Sequence, residues 1–291
     1  MSTRPLTLAA VCCAALEGCT LDESGAYDAG NDVFTADTSI DAADGGQSDV
    51  SSDSADAEET ADAQDGGFTP PTFAGLVLWL RADLGLTFNG NNITTWRDQS
   101  SNAFDLDKQD GTNAYAVSGA PNGTPAIAFS SGSLYRSAPL ISGADAPRTM
   151  CIVLQPSLLT GEMAVLQDGP VTTNGIGYYL NGSSPWVRAI LLTNVLFETD
   201  TASATGTNWE QVCVINMGAS QQRLRVGGTE HVLSTSNLTP SAATTHFSLG
   251  GAHGAAYHFH GNIAETIVYN RVLSTQEQLQ LEAYLTARYG L

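Results

Sequence analysis

Four of the five histidines, His246, His253, His258 and His260, fall in one short stretch of chain. His258 and His260 are two apart, so on a strand both imidazoles face the same way. Joined by another His or by Asp98, they could begin a tetrahedral zinc site. The competing reading is surface or edge-strand histidine, because no acidic ligand lies near them in sequence. A second cluster, Asp98, Ser101 and Asn102, offers oxygen ligands of the kind that hard cations take, or the residues of an Asx-turn. Tyr178, Tyr179 and Trp186 supply flat rings that could stack on sugars, which need an apolar platform beside polar groups. Strand alternation also puts such residues in a core. Acid–base chemistry has less to draw on. Glu198-Thr199-Asp200 brings two carboxylates close together, and Glu265 stands alone in an apolar run. The Gly-x-Ser-x-Gly, His-Glu-x-x-His and P-loop patterns do not occur.

The elements that must position these residues are short. From Phe73 to Leu291 the chain carries all four Trp and runs such as Leu76-Val77-Leu78-Trp79-Leu80, Ala126-Ile127-Ala128-Phe129 and Met150-Cys151-Ile152-Val153-Leu154. Further runs are Val212-Cys213-Val214-Ile215 and Ile263-Ala264-Glu265-Thr266-Ile267-Val268-Tyr269. Each is of strand length and is bounded by Gly, Asn, Pro or Ser, and about a dozen fit between the turn signals. Strands without interleaved helices predict an all-β fold: a two-sheet antiparallel sandwich or barrel. The exception is the C-terminus. Ser274-Thr275-Gln276-Glu277 is a capping box. Leu281, Leu285 and Tyr289 then recur at helical spacing, with Tyr284 beside them, up to Gly290. One amphipathic helix is expected there, packed on the sandwich near its first strand.

The rest of the chain differs in kind. Residues 1–18 contain Arg4 and an apolar run from Pro5 to Leu16, too short to span a bilayer and of signal-peptide length. Residues 19–72 are rich in Asp, Ala, Ser and Gly, with no Lys or Arg, and too poor in apolar residues to offset the entropy of ordering. They predict a disordered acidic tether. The net charge of −19 belongs mostly to it: 14 of the 30 acids lie between Thr20 and Thr72, whereas 10 of the 11 bases lie beyond. With no basic stripe anywhere, nucleic acid is not an expected partner.

Several of these stretches resemble known families. Leu16-Glu17-Gly18-Cys19 is similar to a bacterial lipobox, which implies a lipid on Cys19, a membrane anchor and display at the outer membrane or cell surface. A plain cleaved signal peptide is the alternative. Leu76 to Asp83, followed by Thr95 to Asn102, resembles the opening of jelly-roll domains of the concanavalin A-like lectin and glucanase superfamily. Phe259 to Ser274 resembles the penultimate strand and turn of laminin G-like domains. Arg148 to Val153 and Trp209 to Val214 look like the strands that pentraxins join by a disulfide. The resemblance spans 73–291 and implies a jelly-roll sandwich there.

The resemblance also sharpens the candidate sites. It implies a Cys151–Cys213 bridge, which an exported chain would retain, with two buried free thiols as the alternative. It implies calcium at Asp98 and Asn102, since laminin G-like domains hold calcium through loop carboxylates and carbonyls. Glycanases of the superfamily use a Glu-x-Asp-x-x-Glu-like strand, and Glu198-Thr199-Asp200 stops short of it. The expectation is therefore a surface-displayed, non-catalytic binding or adhesion module for glycan or protein, and no enzyme. The alternatives are a diverged polysaccharide hydrolase or lyase, and a structural envelope protein without a specific ligand.

Overall fold

A computed structural model describes residues 69–291 except 91, 110–115, 131, 144–145, 159–160, 170–175, 182–186, 193–194, 199–205, 219–220, 233–245 and 253–256. The leader, Cys19 and the acidic tether as far as residue 68 lie outside the described residues, and the last four residues assigned to the tether, 69–72, lie within them. A short 3-10 turn, Pro70–Thr72, comes first. Pro70 is already attached to the fold, for its carbonyl accepts the Tyr269 hydroxyl at 2.8 Å.

The first strands in chain order are β1 (Leu76–Arg81), β2 (Leu86–Asn89), β3 (Asn92–Trp96), β4 (Leu106–Gln109), β5 (Ala116–Gly119) and β6 (Pro125–Phe129). Then come β7 (Ser133–Arg136), β8 (Arg148–Pro156), β9 (Met163–Asp168), β10 (Ile176–Asn181), β11 (Val187–Leu192) and β12 (Val195–Glu198). The last are β13 (Glu210–Asn216), β14 (Gln222–Val226), β15 (Thr229–Val232), β16 (Phe247–Leu249) and β17 (Gly261–Tyr269), before the helix α1 (Thr275–Tyr289). This exceeds the dozen strands expected, because β2, β5, β7 and β16 have only three or four residues and too few apolar positions to stand out as runs.

The strands form two antiparallel sheets. The first runs β15-β14-β13-β8-β17-β6-β5, with β1 beside the far half of β17. β6 pairs with Gly261 to Ile263 and β1 with Glu265 to Tyr269, so the two share one edge of β17 end to end. The second sheet runs β12-β11-β10-β9-β16-β7-β4-β3-β2. Between them lies the main core, with Leu78, Leu80, Ile93, Trp96, Ile152, Leu166, Tyr178, Phe247 and Phe259 all at 1% exposure or less. The Trp96 indole N–H, which cannot be buried cheaply without an acceptor, donates to the Arg81 carbonyl at 2.8 Å.

An ion pair crosses between the sheets at one end. Arg148, at the start of β8, meets Asp168, at the end of β9, at 2.6 Å, and both side chains are at most 1% exposed. Burial pushes the Asp168 carboxyl up to about 6, against the pull of Arg148 and of the Leu140 and Ile141 amides. Removing one partner from such a pair leaves an uncompensated buried charge.

The C-terminal helix forms as its sequence predicts. Ser274 accepts from the Glu277 amide and Glu277 reaches back to the Ser274 amide, which closes the capping box. Gly290 ends the helix in the left-handed conformation at φ 65°, where a side chain would be strained. Leu281, Tyr284, Leu285 and Tyr289 bury a second core against Trp79, Ala126, Val153 and Ile267 on the outer face of the first sheet.

Candidate functional site

The two outer faces of the sandwich are unequal. That of the first sheet is covered by α1 and knotted to it through Glu265. This fully buried carboxylate accepts from the Trp79 indole at 2.6 Å, from Tyr284 at 3.0 Å and from Tyr289 at 2.8 Å. Burial raises its carboxyl above the usual range, while these donors and Arg288 pull it down. Glu265, read from sequence as a lone acid without a partner in register, holds the helix to the sheet.

The outer face of the second sheet carries a transverse row of polar residues. Thr95 pairs with Asp107, Asp107 with Tyr135, Tyr135 with Ser248, Ser248 with Gln167, and Gln167 with Gly177. Residues directly opposed on neighbouring strands project from the same face. Their neighbours along the strands, Trp96, Leu106, Leu134, Leu249, Leu166 and Tyr178, lie in the main core, so the row points away from it. Thr95 Oγ1 donates to Asp107 at 2.8 Å, and the Tyr179 hydroxyl donates to Gln167 Oε1 at 2.7 Å. The Tyr135 and His246 rings lie 5.7 Å apart.

Exposure falls along this row. Asp107 is exposed and Tyr135 half-buried, whereas Ser248 and Gln167 are buried. Gln167 Nε2 and Ser248 Oγ meet no hydrogen-bond partner among the described residues. Buried polar atoms of this kind call for a partner. Gly177 closes the row, where a Cβ would sit 2.6 Å from the Leu166 carbonyl oxygen. Half-buried Glu162, just before β9, is pushed above the ordinary carboxyl value by burial. The Tyr179 phenol is pushed up by burial first, then by the charges of Glu162 and Tyr257. This face therefore gathers hydroxyl, amide, aromatic and carboxyl groups.

Other expected sites take different parts. Tyr178 is a core residue between the sheets, not a stacking platform; its strand position turns it inward. Tyr179 does face outward but is fully buried against Gln167. Trp186 and His253 lie outside the described residues, as does Asp200, while Glu198 pairs in register with Ala189. Asp98 Oδ1 accepts from the Trp79 and Ser100 amides, both at 2.8 Å, and Oδ2 from the Ser100 hydroxyl at 2.6 Å and the Phe104 amide at 2.8 Å. The Asn102 amide donates to the Leu76 and Val77 carbonyls. N–H and O–H donors thus surround the carboxylate expected to hold calcium, and the pair stitches its loop to β1 as an Asx-type turn. Burial, and then the charge of His260, hold the His258 imidazole below its usual value. Among the described residues no three His, Cys, Asp or Glu converge as a metal site would need. Cys151 and Cys213, directly opposed on β8 and β13, are bonded.

No family model and no curated protein matches the chain. Solved structures do. Domain 4 of AbnA, a GH43 extracellular arabinanase from Geobacillus stearothermophilus solved with arabinotriose, matches at a TM-score of 0.53 and 15% identity, over 73% of this chain and 98% of that one. A Trypanosoma rangeli sialidase with sialic acid matches at 0.51 and 18% identity, over 74% of this chain and 33% of that one. A GH54 α-L-arabinofuranosidase matches at 0.52 and 18% identity, over 67% and 51%. The shared feature is the fold. These sandwiches belong to glycoside hydrolases, and that overturns the expectation of a chain with no enzymatic role. The missing Glu-x-Asp-x-x-Glu strand was weak ground for it, because two catalytic carboxyls can come from different strands.

Asp107, Tyr135, Glu162, Gln167 and Ser248 were not singled out from sequence. Each strand shows its apolar alternation, but the order that lines these residues up is a product of non-consecutive strand pairing.

Proposed function

We propose that the protein is a carbohydrate-active sandwich that engages a polysaccharide on the outer face of its second sheet, at the open end of the row formed by Thr95, Asp107 and Tyr135. The observation that carries this reading is the match to nearly the whole of an arabinanase domain solved with arabinotriose. A sugar chain needs convergent donors and acceptors beside an apolar ring. Asp107 and Thr95 with the Tyr135 ring answer that need, and the buried Ser248 and Gln167 lie behind them. Membership of the concanavalin A-like superfamily, on the closing motif from Phe259 to Ser274, belongs to the same proposal. Affinity electrophoresis of the full chain in gels containing arabinan, xylan or sialylated glycan tests it. Retardation by at least one of them, weakened in Asp107→Ala and Tyr135→Ala, is expected; free migration in all three ends the reading.

A second reading is hydrolysis or elimination at this face. It is favoured by the hydrolase neighbours together with Glu162, a carboxyl raised by burial, which is what a general acid requires. Release of reducing ends by the full chain, lost in Glu162→Gln without loss of retardation, is the expected result.

Export with a lipid on Cys19 completes the proposal. A bonded cysteine pair persists in oxidising compartments. Incorporation of labelled palmitate by the wild-type chain and not by Cys19→Ala tests it.

A further inference from the structure

A cavity of about 230 Å³ opens on the other side of the sandwich, between the start of α1 and the strands β13 to β15. Its walls include Arg223, Arg225, Glu230 and Gln278, with Met217 and Leu273 supplying apolar surface. Gln278 is 5% exposed. Its Nε2 donates to Glu282 Oε1 at 3.0 Å, which fixes the amide's orientation. Its Oε1 is buried and meets no donor among the described residues. An acceptor in that state asks for an O–H or N–H.

The two arginines differ in how far they are committed. Arg225 gives Nε and Nη2 to both oxygens of Glu282, at 2.6 and 2.9 Å. Among the described residues Arg223 has a single polar contact, with Glu230, 3.4 Å long, and 45% of its side chain is exposed. Several of its five donors are left to a ligand at the mouth. Of the charged residues lining the cavity, two are cationic and one anionic, in a chain whose formal charge is −19.

We propose that this cavity is a binding site for a small hydroxycarboxylate of the uronic acid kind, whose carboxylate pairs with Arg223 and whose hydroxyl donates to Gln278 Oε1. The apolar surface of Met217 and Leu273 takes the C–H face of the ring. A planar guanidinium suits a carboxylate, and a buried amide oxygen rejects a ligand that cannot donate to it. The site lies across the sandwich from the polysaccharide face and does not depend on it.

Calorimetric titration of the full chain with D-glucuronate, and in parallel with D-glucose, tests the proposal. Saturable binding of glucuronate with a Kd on the order of 1 mM, a small-ligand affinity, is expected, with glucose at least about tenfold weaker. Arg223→Gln, at a half-exposed position, should weaken glucuronate about tenfold, or about 1.4 kcal/mol, and bring the two sugars together. Gln278→Met should weaken both sugars. Leu84→Ala, at an exposed position that does not line the cavity, should change neither. Absence of saturable glucuronate binding, equal affinity for the two sugars in the wild type, or an unchanged Kd in Arg223→Gln overturns the proposal.

Discussion

The indole N–H of Trp79 donates to Glu265 Oε1 at 2.6 Å, across 186 positions of sequence. Trp79 sits on the first strand of the sandwich and Glu265 on the last, and the two strands are hydrogen-bonded neighbours. Tyr284 and Tyr289 bring the C-terminal helix to the same carboxylate, with Arg288 Nε at 3.5 Å. Both ends of the domain therefore close on one buried acid.

Glu265→Ala should cost about 3 kcal/mol or more, because it takes the acceptor from three buried donors and removes one of the two carboxylates beside Arg288. Glu265→Gln keeps an acceptor for Trp79 and should cost less. Urea unfolding followed by tryptophan fluorescence measures both. Equal stability of wild type and Glu265→Ala would show that the helix is held by apolar packing alone.

Cys151 and Cys213 are 62 residues apart in sequence. In the chain-entropy account, closing a loop of that size stabilises by about 4 kcal/mol. The double variant Cys151→Ala, Cys213→Ala should unfold at correspondingly lower urea, and added reductant should shift the wild type but leave the variant unchanged.

Glu277 takes both Nη atoms of Arg271, at 2.6 and 2.8 Å, and the Ser274 amide at 2.8 Å. The Arg271 guanidinium, then the Ser274 amide, hold its carboxyl down at about 2 against an ordinary 4.5. A carboxyl depressed in the fold contributes stability above its unfolded value and loses it as pH falls toward the folded one. Stability at α1 should therefore decline between about 4.5 and 2. Glu277→Gln should be weaker by about 1 kcal/mol at neutral pH, the usual scale for a cap, and flatter across that acid window. Thermal midpoints over a pH series decide it, and parallel curves for the two proteins would count against this account.

The assignment of faces on the second sheet predicts a clean contrast. Asp107→Ala, pointing outward, should change stability by no more than about 0.5 kcal/mol yet weaken retention of polysaccharide. Leu134→Ala, on the adjoining strand but pointing into the core, should cost about 2–5 kcal/mol. A large stability loss in Asp107→Ala would mean that the row braces the sheet and does not meet a ligand.

Much of this molecule is written locally. Alternation along β8, β13 and β17 announces strands, because each half-buried strand must segregate its apolar residues to one side. Ser274 and Glu277 announce the start of a helix, because capping is a matter of three residues. The motifs around Trp79 and around Glu265 name the first and last strands of a sandwich. What the local pattern does not carry is which strand lies beside which. β16 sits between β7 and β9, so Ser248 meets Tyr135 and Gln167 from 113 and 81 positions away. That register is chosen by burial of Leu134, Leu166 and Leu249 together, a choice only the packed core can make. The same packing turned Tyr178 inward, enclosed Asp98 with N–H donors and gave Glu265 its three partners. Sequence alone determined the longer strands, the helix with its cap and the bondable cysteines. Tertiary structure alone decided which polar residues share a face, because a side chain's chemistry depends on neighbours that the chain brings from far away.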